Sequence, residues 1–274
     1  MSKPRRQAPS QYVLAVEATE WLTPHLVRVI AAGDSLAGFA DNGHTDAYVK
    51  LLFVDPEVGG EPPYDLAALR ATLPPERQPV VRTYTVRWVD RSAGRLAIDF
   101  VTHGDTGVAA VWAARAVPGD RLVVSGPGGA YTPDPDAWHL LAGDLSALPA
   151  IAAALEALPG RASGVAYLEV GDQADILDLK CPEQVTAHWL INPDPADTAF
   201  LARAVDGGQW PAAGAAGPVQ VFAHGERESI KAIRKVLHER GIPRERISIS
   251  GYWARGRTED VFQAEKREPI GRID

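Results

Sequence analysis

Cysteine is nearly absent from this sequence, since Cys181 is the only one among 274 residues. One thiol cannot build a disulfide framework or a thiolate metal cluster, and such scarcity is typical of proteins that fold in a reducing compartment. The seven histidines show no spacing typical of metal ligands. The sequence also lacks a run of about eighteen apolar residues, the minimum for a membrane-spanning helix. We therefore expect a cytoplasmic protein with no metal site and no stable membrane association.

Positive charge is in short supply as well. Lys and Arg total 28 against 35 Asp and Glu, which leaves a formal net charge of −7. A chain of this sign is not expected to bind nucleic acid, and an anionic ligand would need a local basic patch. Hydrophobic residues make up 46% of the chain and charged residues 23%, so composition predicts a globular protein with a sizeable core.

The first half of the chain consists of β-rich runs separated by turns. The runs occupy residues 13–22, 25–33, 47–55, 80–90, 95–103 and 121–126, and a Pro- and Gly-rich stretch at 56–79 interrupts them. The DRSAG turn at residues 90–94 predicts an antiparallel hairpin. Six short strands at this spacing indicate a small antiparallel β-barrel, to which we assign residues 10–133.

The second half alternates strands with helices. Strands are predicted at residues 138–143, 164–171, 188–192, 219–225 and 246–253, and helices at 148–158, 199–210 and 228–241. The last helix places Ile230, Ile233 and Leu237 on one face and has Gly241 as a stop signal. This alternation predicts an α/β domain with a parallel sheet, to which we assign residues 134–274.

The strand VVRTYTVRWVD at residues 80–90 carries the first candidate site. Arg82 and Tyr84 share one face of the strand, and Thr85 points the other way. Arg82 can pair with a pyrophosphate, Tyr84 can lie against a flavin ring and Thr85 can hydrogen-bond that ring. On the strand alone, a solvated face with a neighbouring cation and aromatic ring is the favoured interpretation.

The segment DFVTHGDTGVAAVWA, residues 99–113, adds a candidate phosphate loop. A strand ends at His103 and Gly104, and a helix is predicted to open near Val108. Gly107 and the small side chain of Ala109 would let a phosphate approach backbone N–H groups there, and Thr106 adds a hydroxyl. An ordinary strand-to-helix turn remains the alternative.

The segment AGDLSALPAIAAALEAL, residues 142–158, is the candidate nicotinamide site. Gly143 and Asp144 lie at the end of a predicted strand. Ser146 is expected to cap the helix that follows, and Pro149 is tolerated in the first turn of that helix. The N-terminus of that helix would face phosphate. The sequence has no GxGxxG fingerprint, so a core turn with a cap is the alternative.

Taken in order, RTYT, HGDTGVAAVWA, PGDRLVVSGPGG, LLAGDLSALPAIAAAL and GYWARGRTEDVFQAEKRE resemble the siderophore-interacting protein family. Its members are ferric-siderophore reductases of the ferredoxin-reductase-like superfamily, and the resemblance spans roughly residues 10 to 268. It implies an N-terminal antiparallel barrel that binds FAD and a C-terminal α/β domain that binds NADH or NADPH.

The resemblance also implies site residues. Those for FAD are Arg82, Tyr84, Thr85, His103, Gly104, Thr106, Gly107, Val108 and Ala109. Those for NAD(P)H are Gly143, Asp144, Ser146 and Ala147. Lys50 and Arg255 would attract the substrate, a ferric siderophore.

The chain departs from the family pattern at three positions. Gly128 and Ala254 stand where many relatives have arginine, and Leu145 stands where an acidic residue is usual. Two basic contributions are therefore lost or displaced, which disfavours a highly anionic catecholate substrate.

The family implies that electrons pass from NAD(P)H, through FAD, to ferric iron held by a siderophore, so that Fe(II) is released in the cytosol. The flavin carries the chemistry, and no catalytic side chain is required. Two alternatives stay open: a non-catalytic protein that binds ferric siderophore or flavin, and a general NAD(P)H-dependent ferric or flavin reductase. We expect a monomer or a weak dimer.

Overall fold

A closed barrel of six antiparallel strands forms the N-terminal half of the computed structural model, which describes residues 10–104, 107–211 and 217–273. The strands follow the order β1-β2-β5-β4-β3-β6 around the barrel. Their bounds are β1 Gln11–Thr23, β2 Leu26–Ala32, β3 Tyr48–Phe53, β4 Val80–Asp90, β5 Arg95–Val101 and β6 Arg121–Gly128. The antiparallel barrel expected from the sequence is confirmed.

Alternation along the strands builds the barrel core. In β2, Val27, Val29 and Ala31 are fully buried, while the residues between them are partly exposed. Because side chains of a strand point to opposite faces in turn, each strand contributes every second residue to the interior. Phe100 of β5 and Leu51 of β3 fill the centre of this core.

Short helices occupy the connections of the barrel. The stretch 56–79, expected to be a loop, contains helices α1 Pro56–Gly59 and α2 Leu66–Thr72. Aspartates cap both helices, since Asp55 and Asp65 accept hydrogen bonds from backbone N–H groups of the first turn. Between β5 and β6 lies α3, Ala109–Arg115.

The second half is a five-stranded parallel sheet. Its strands are β7 Trp138–Asp144, β8 Ser163–Val170, β9 Gln184–Ile191, β10 Val219–Glu226 and β11 Ile247–Trp253, in the order β11-β10-β7-β8-β9. Helices α4 Leu148–Ala157, α5 Phe200–Gly207 and α6 Arg227–Glu239 pack on it. This confirms the α/β architecture. The apolar face predicted for the last of these helices, Ile230, Ile233 and Leu237, is fully buried.

A further short helix, α7 Glu259–Glu265, follows the sheet, and the sequence patterns did not predict it. Phe262 is its one buried residue. One buried side chain in a polar segment gives almost no periodic signal. Among the described residues, none of the helices combines the length and the apolar character needed to cross a membrane.

The barrel and the sheet meet through α4 and the segment after β8. Arg87 of β4 forms two hydrogen bonds with Glu156 of α4, at 2.9 and 2.6 Å. Leu26 of β2 is buried in the same apolar cluster as α4. Asp175 accepts hydrogen bonds from Thr23 and His25 of the barrel. These contacts set the carboxyl ends of the sheet strands beside β4.

Candidate functional site

Strand β4 turns its candidate residues to two different faces. Tyr84 lies opposite Val49 and Arg82 opposite Leu51, and both of these partners are fully buried. Thr85 lies opposite Tyr48, on the outer face. The alternation expected from the sequence therefore holds, and one strand serves two environments.

Arg82 is already engaged with a carboxylate. Its Nη1 and Nη2 donate to the two carboxylate oxygens of Asp260 in α7, each at 3.0 Å, and Nη1 also donates to the Val81 carbonyl. The Arg82 side chain is only 15% exposed, whereas that of Asp260 is 75% exposed. Two parallel N–H···O bonds are the geometry with which arginine binds carboxylate and phosphate alike.

Tyr84 packs against the barrel core. Its ring centroid lies 4.5 Å from that of Phe100, in a tilted arrangement. Burial raises the pKa of Tyr84 above its usual value, and the nearby charge of Glu259 acts in the same direction. The ring is therefore a neutral aromatic surface beside Arg82, close to the first turn of α7.

Thr85 marks the junction, which we define as the place where Thr85 of the barrel approaches Tyr252 of the sheet, near the charge of Asp144. Burial raises the pKa of Tyr252, the nearby charges of Asp46 and Asp144 add to this, and the Thr85 side chain opposes it. The hydroxyl proposed to contact the flavin ring is therefore in contact with the other half of the molecule.

The segment after β5 has backbone open to a ligand. Gly104 and Gly107 have φ of +70° and +84°, and a Cβ on either would meet no heavy atom of the described residues within 4 Å. His103 and Val108 are exposed, while Ala109 is buried at the start of α3. Thr106 lies outside the described residues.

Asp144 ties three strands together at the junction. Its carboxylate accepts hydrogen bonds from Ser146 N and Oγ, Glu226 N at 2.8 Å and Trp253 Nε1 at 2.8 Å. The strand order reverses between β7 and β10, and ligands of open α/β sheets bind outside the carboxyl ends at such a point. Asp144 therefore holds the carboxyl ends of these strands together at the position where the strand order reverses.

The expectation that Ser146 caps α4 is wrong. The N-cap position belongs to Ala147, and no side chain caps the helix. Ser146 instead donates its hydroxyl to Asp144, because this carboxylate lies two residues earlier and accepts the hydrogen bond. Pro149 does lie in the first turn of α4, as expected.

The helices on the two sides of this switch point differ at their N-termini. In α6 the Glu226 carboxylate accepts hydrogen bonds from Glu228 N and Ser229 N. A carboxylate of the chain itself therefore occupies the N-terminus of this helix. At α4, Gly143 brings backbone and helix together, since a Cβ there would lie 2.5 Å from the His224 carbonyl oxygen and 2.7 Å from the Ala147 Cβ. The two ends therefore differ, because a carboxylate of the chain occupies the N-terminus of α6, whereas no side chain caps α4.

Two cations lie near the junction. Lys50 follows Tyr48 on the outer face of β3, and the Arg255 guanidinium lies 5.7 Å from the Trp253 ring centroid. Within the described part of the chain, neither has an ion-pair partner. Tyr48 and Trp253 are 39% and 37% exposed, and sequence reasoning singled out neither of them as a site residue.

The departures from the family pattern have structural counterparts. A Cβ on Gly128 would lie 2.3 Å from the Tyr48 Cζ, so the Tyr48 ring fills the space of a side chain at position 128. Ala254 is buried, and Leu145 packs against the core under α4. Position 128 is therefore covered by an aromatic ring, and position 254 carries a buried methyl group. These are the two positions at which the family resemblance implies arginine.

These features fit a flavin dinucleotide. Arg82 presents its donor fork to an anion, for which the Asp260 carboxylate is a stand-in. Gly104 and Gly107 offer backbone without side-chain obstruction, and Thr85 offers a hydroxyl. Within the described residues, no group of three or more His, Cys, Asp or Glu is placed to hold a metal ion.

Both halves of the chain match models of known protein families. Residues 15–131 match the profile described as siderophore-interacting FAD-binding domain, and residues 136–256 match that of siderophore-interacting protein. An uncharacterised protein of Mycobacterium tuberculosis is 45% identical, over 94% of this chain and 95% of its own.

Two relatives have descriptive names. The ferric vibriobactin reductase of Vibrio cholerae is 36% identical, over 90% of each chain. The NADPH-dependent ferric-chelate reductase of Escherichia coli is 30% identical, over 88% of this chain and 91% of its own.

Solved structures agree with these matches. A siderophore utilization protein from T. fusca has a TM-score of 0.78 at 37% identity, over 92% of this chain and 95% of that one. The ferredoxin reductase of carbazole 1,9a-dioxygenase shares the fold, with a TM-score of 0.66 at 16% identity, over 91% of this chain and 71% of that one. The chain therefore belongs to the siderophore-interacting protein family, with an FAD-binding barrel and a ferredoxin-reductase-like fold.

Proposed function

We propose that the protein is a cytoplasmic reductase that moves electrons from NAD(P)H, through FAD, to ferric iron held by a siderophore. The observation that carries the proposal is the position of β4, whose Arg82, Tyr84 and Thr85 lie beside the carboxyl ends of the parallel sheet. The names of the V. cholerae and E. coli relatives support an oxidoreductase acting on ferric iron.

We assign the FAD site to residues 10–133 and the site of the nicotinamide cofactor to residues 134–274. When bound, FAD exchanges electrons between a two-electron donor and a one-electron acceptor. The chain's own residues bind and orient. Arg82 would pair with the pyrophosphate, backbone from His103 to Ala109, including Thr106, would line its path, and Tyr84 would present its ring.

Thr85 would donate its hydroxyl to the flavin ring, and Tyr252 lies close enough to Thr85 to help position that hydroxyl. Gly143, Asp144, Ser146 and Ala147 would form the floor of the NAD(P)H site at the start of α4. Asp144 also accepts a hydrogen bond from Trp253, so the same carboxylate would stabilise both the nicotinamide site and the junction.

Lys50 and Arg255 would attract the ferric siderophore, because both cations lack ion-pair partners among the described residues and lie near the junction. Iron would arrive inside its chelator as substrate. Two cations suit a moderately anionic complex, and the Tyr48 ring over Gly128 adds apolar surface. Fe(II) binds hard oxygen ligands less tightly than Fe(III), so reduction would favour release.

The test is a flavin titration followed by anaerobic reduction. We expect the protein to bind FAD, with visible flavin bands that bleach on addition of NADH or NADPH. Arg82→Gln should weaken FAD binding at least about tenfold, since a charge-assisted hydrogen bond is worth about 1.5–3 kcal/mol. Arg203→Gln, which removes a mostly exposed arginine paired with Asp197, should leave FAD binding unchanged. A wild-type protein that ignores FAD would contradict the proposal.

Turnover separates the alternatives. A protein that retains FAD but does not bleach with either nucleotide would be a binding protein, an outcome that the lost arginines at positions 128 and 254 keep open. Equal rates with ferric citrate and a ferric hydroxamate siderophore would identify a general ferric reductase. A clear preference for the siderophore complex would support the proposal.

A further inference from the structure

The ion pair between Arg82 and Asp260 joins residues 178 positions apart. Arg82 belongs to the barrel and Asp260 to the first turn of α7. Both outer nitrogens of the guanidinium donate to the two oxygens of one carboxylate. Asp260 therefore occupies the two outer nitrogens of the Arg82 guanidinium.

The docking of α7 does not depend on this pair. Phe262 is 1% exposed and anchors the helix, and Thr258 caps it. Glu265 at its other end accepts from Arg227 and Arg257, and the Lys231 ammonium donates to the Ile270 carbonyl beyond it. These contacts hold the helix in place from the sheet side. Asp260 therefore reaches Arg82 from a helix that is fixed by other residues.

A phosphate that binds end-on would need the same two nitrogens. A guanidinium binds carboxylate and phosphate bidentately through parallel N–H groups, and Nη1 of Arg82 is further committed to the Val81 carbonyl. A carboxylate and a phosphate at one guanidinium would also repel each other. Asp260 and a pyrophosphate therefore compete for Arg82.

We infer that Asp260 is an exchangeable counter-ion that acts through Arg82, keeps this cation ordered before the cofactor binds, and sets the affinity for FAD by competing with its pyrophosphate. The inference rests on the proposed function in one respect, the assignment of Arg82 to the pyrophosphate. Asp260 is a positioning residue, since it acts through Arg82 and leaves that side chain when the cofactor arrives.

The experiment measures FAD affinity of the apoprotein by quenching of flavin fluorescence. Asp260→Ala should bind FAD about fivefold more tightly than the wild type, the scale of a mostly exposed ion pair. Glu259→Ala is the matched control: it removes the same charge from the same helical turn, beside Tyr84, but Glu259 does not bond Arg82. It should change the affinity less than about twofold, because it lacks the specific pair.

A double-mutant cycle shows whether Asp260 acts through Arg82. Arg82→Gln should weaken FAD binding, and Asp260→Ala in that background should have no further effect. High salt should reduce the gain of the single variant, because salt screens an exposed pair. Circular dichroism checks that each variant keeps the fold.

Each outcome decides the matter. If Arg82→Gln weakens FAD binding but Asp260→Ala brings no gain, or weakens binding as well, Asp260 does not compete and the inference fails while the proposed site stands. If Glu259→Ala gives the same gain, the effect is general charge and the specific pair is refuted. If Arg82→Gln leaves FAD affinity unchanged, the proposed placement of the pyrophosphate fails first, and this inference falls with it.

Discussion

At the scale of single residues, Asp144 shows how one carboxylate organises a site. It is the last residue of the buried strand β7 and accepts four hydrogen bonds, two of them from Ser146 and one each from Glu226 and Trp253. Gly225 makes room for it, since a Cβ there would lie 2.7 Å from Asp144 Oδ2. The residue that would line the nicotinamide site also holds β10 and β11 in register with β7.

Asp144→Asn should therefore lower the free energy of unfolding by about 2–3 kcal/mol. The amide nitrogen of asparagine cannot accept the hydrogen bonds that one of the two carboxylate oxygens accepts. Urea unfolding followed by circular dichroism measures the loss. Trp253 should also lose its indole partner, which tryptophan fluorescence detects. Asp136→Asn removes a carboxylate that is 79% exposed and should cost less than about 0.5 kcal/mol. Equal losses in the two variants would contradict the role of Asp144.

Strand β10 brings a buried histidine, His224, close to Tyr252 of the junction. Its ring stacks on Phe222 with ring centroids 4.0 Å apart, and Nε2 lies 3.0 Å from the Ser248 Oγ. The Tyr252 ring centroid lies 4.9 Å away in a tilted arrangement. Burial, with a smaller contribution from the Lys266 ammonium, lowers the pKa of His224 to about 3, and the bond with Ser248 opposes this. The ring is therefore neutral in the folded protein.

This burial makes stability depend on pH. Unfolded histidine has a pKa of about 6.5, so below this pH the unfolded chain takes up a proton that folded His224 refuses. The free energy of unfolding should therefore fall by about 2 kcal/mol from pH 7.5 to 5.0 through this residue alone. His139, which is also buried with a lowered pKa, acts in the same direction.

Urea unfolding at the two pH values tests this effect. His224→Gln should lose about 2 kcal/mol less stability than the wild type between pH 7.5 and 5.0. His238→Gln, which changes an exposed histidine of α6, should keep the pH dependence of the wild type. An unchanged pH dependence in His224→Gln would show that another group is responsible.

At the scale of the whole molecule, a buried carboxylate joins the barrel to the segment after β8. Asp175 is 2% exposed and accepts from Thr23 Oγ1 at 2.7 Å, from His25 Nδ1 at 2.8 Å and from His25 N at 3.2 Å. With the pair of Arg87 and Glu156, it holds β4 beside the sheet. Both connections therefore support the junction from the side of α4 and the segment after β8.

Asp175→Ala should lower the free energy of unfolding by about 2–3 kcal/mol, because the buried Thr23 hydroxyl loses its acceptor and the half-exposed His25 ring loses its partner. Thermal unfolding followed by circular dichroism and by tryptophan fluorescence measures the loss. Asp172→Ala removes only the capping bond to Ala174 N and should cost about 1 kcal/mol. If the two variants lose the same stability, Asp175 does not hold the halves together.

The sequence by itself determined the architecture. Period-two alternation predicts the barrel strands, and the helical period with its Gly stop predicts α6, because both signals are local. The strand Val80–Asp90 has the bounds expected for it. The ordered motifs identified the family and its cofactor. The placement of the site residues within that family remains a prediction that the flavin titration tests.

The tertiary structure alone decided which groups meet. Arg82 meets Asp260, Thr85 meets Tyr252, and the Tyr48 ring fills the space beside Gly128. Ser146 was misjudged for a local reason, since Asp144, two residues earlier, accepts its hydroxyl. The other contacts join residues far apart in the chain, and the first two depend on how the barrel and the sheet are set together. A sequence without an alignment carries no local signal for such contacts, since strand and helix periods report only on neighbours a few positions away.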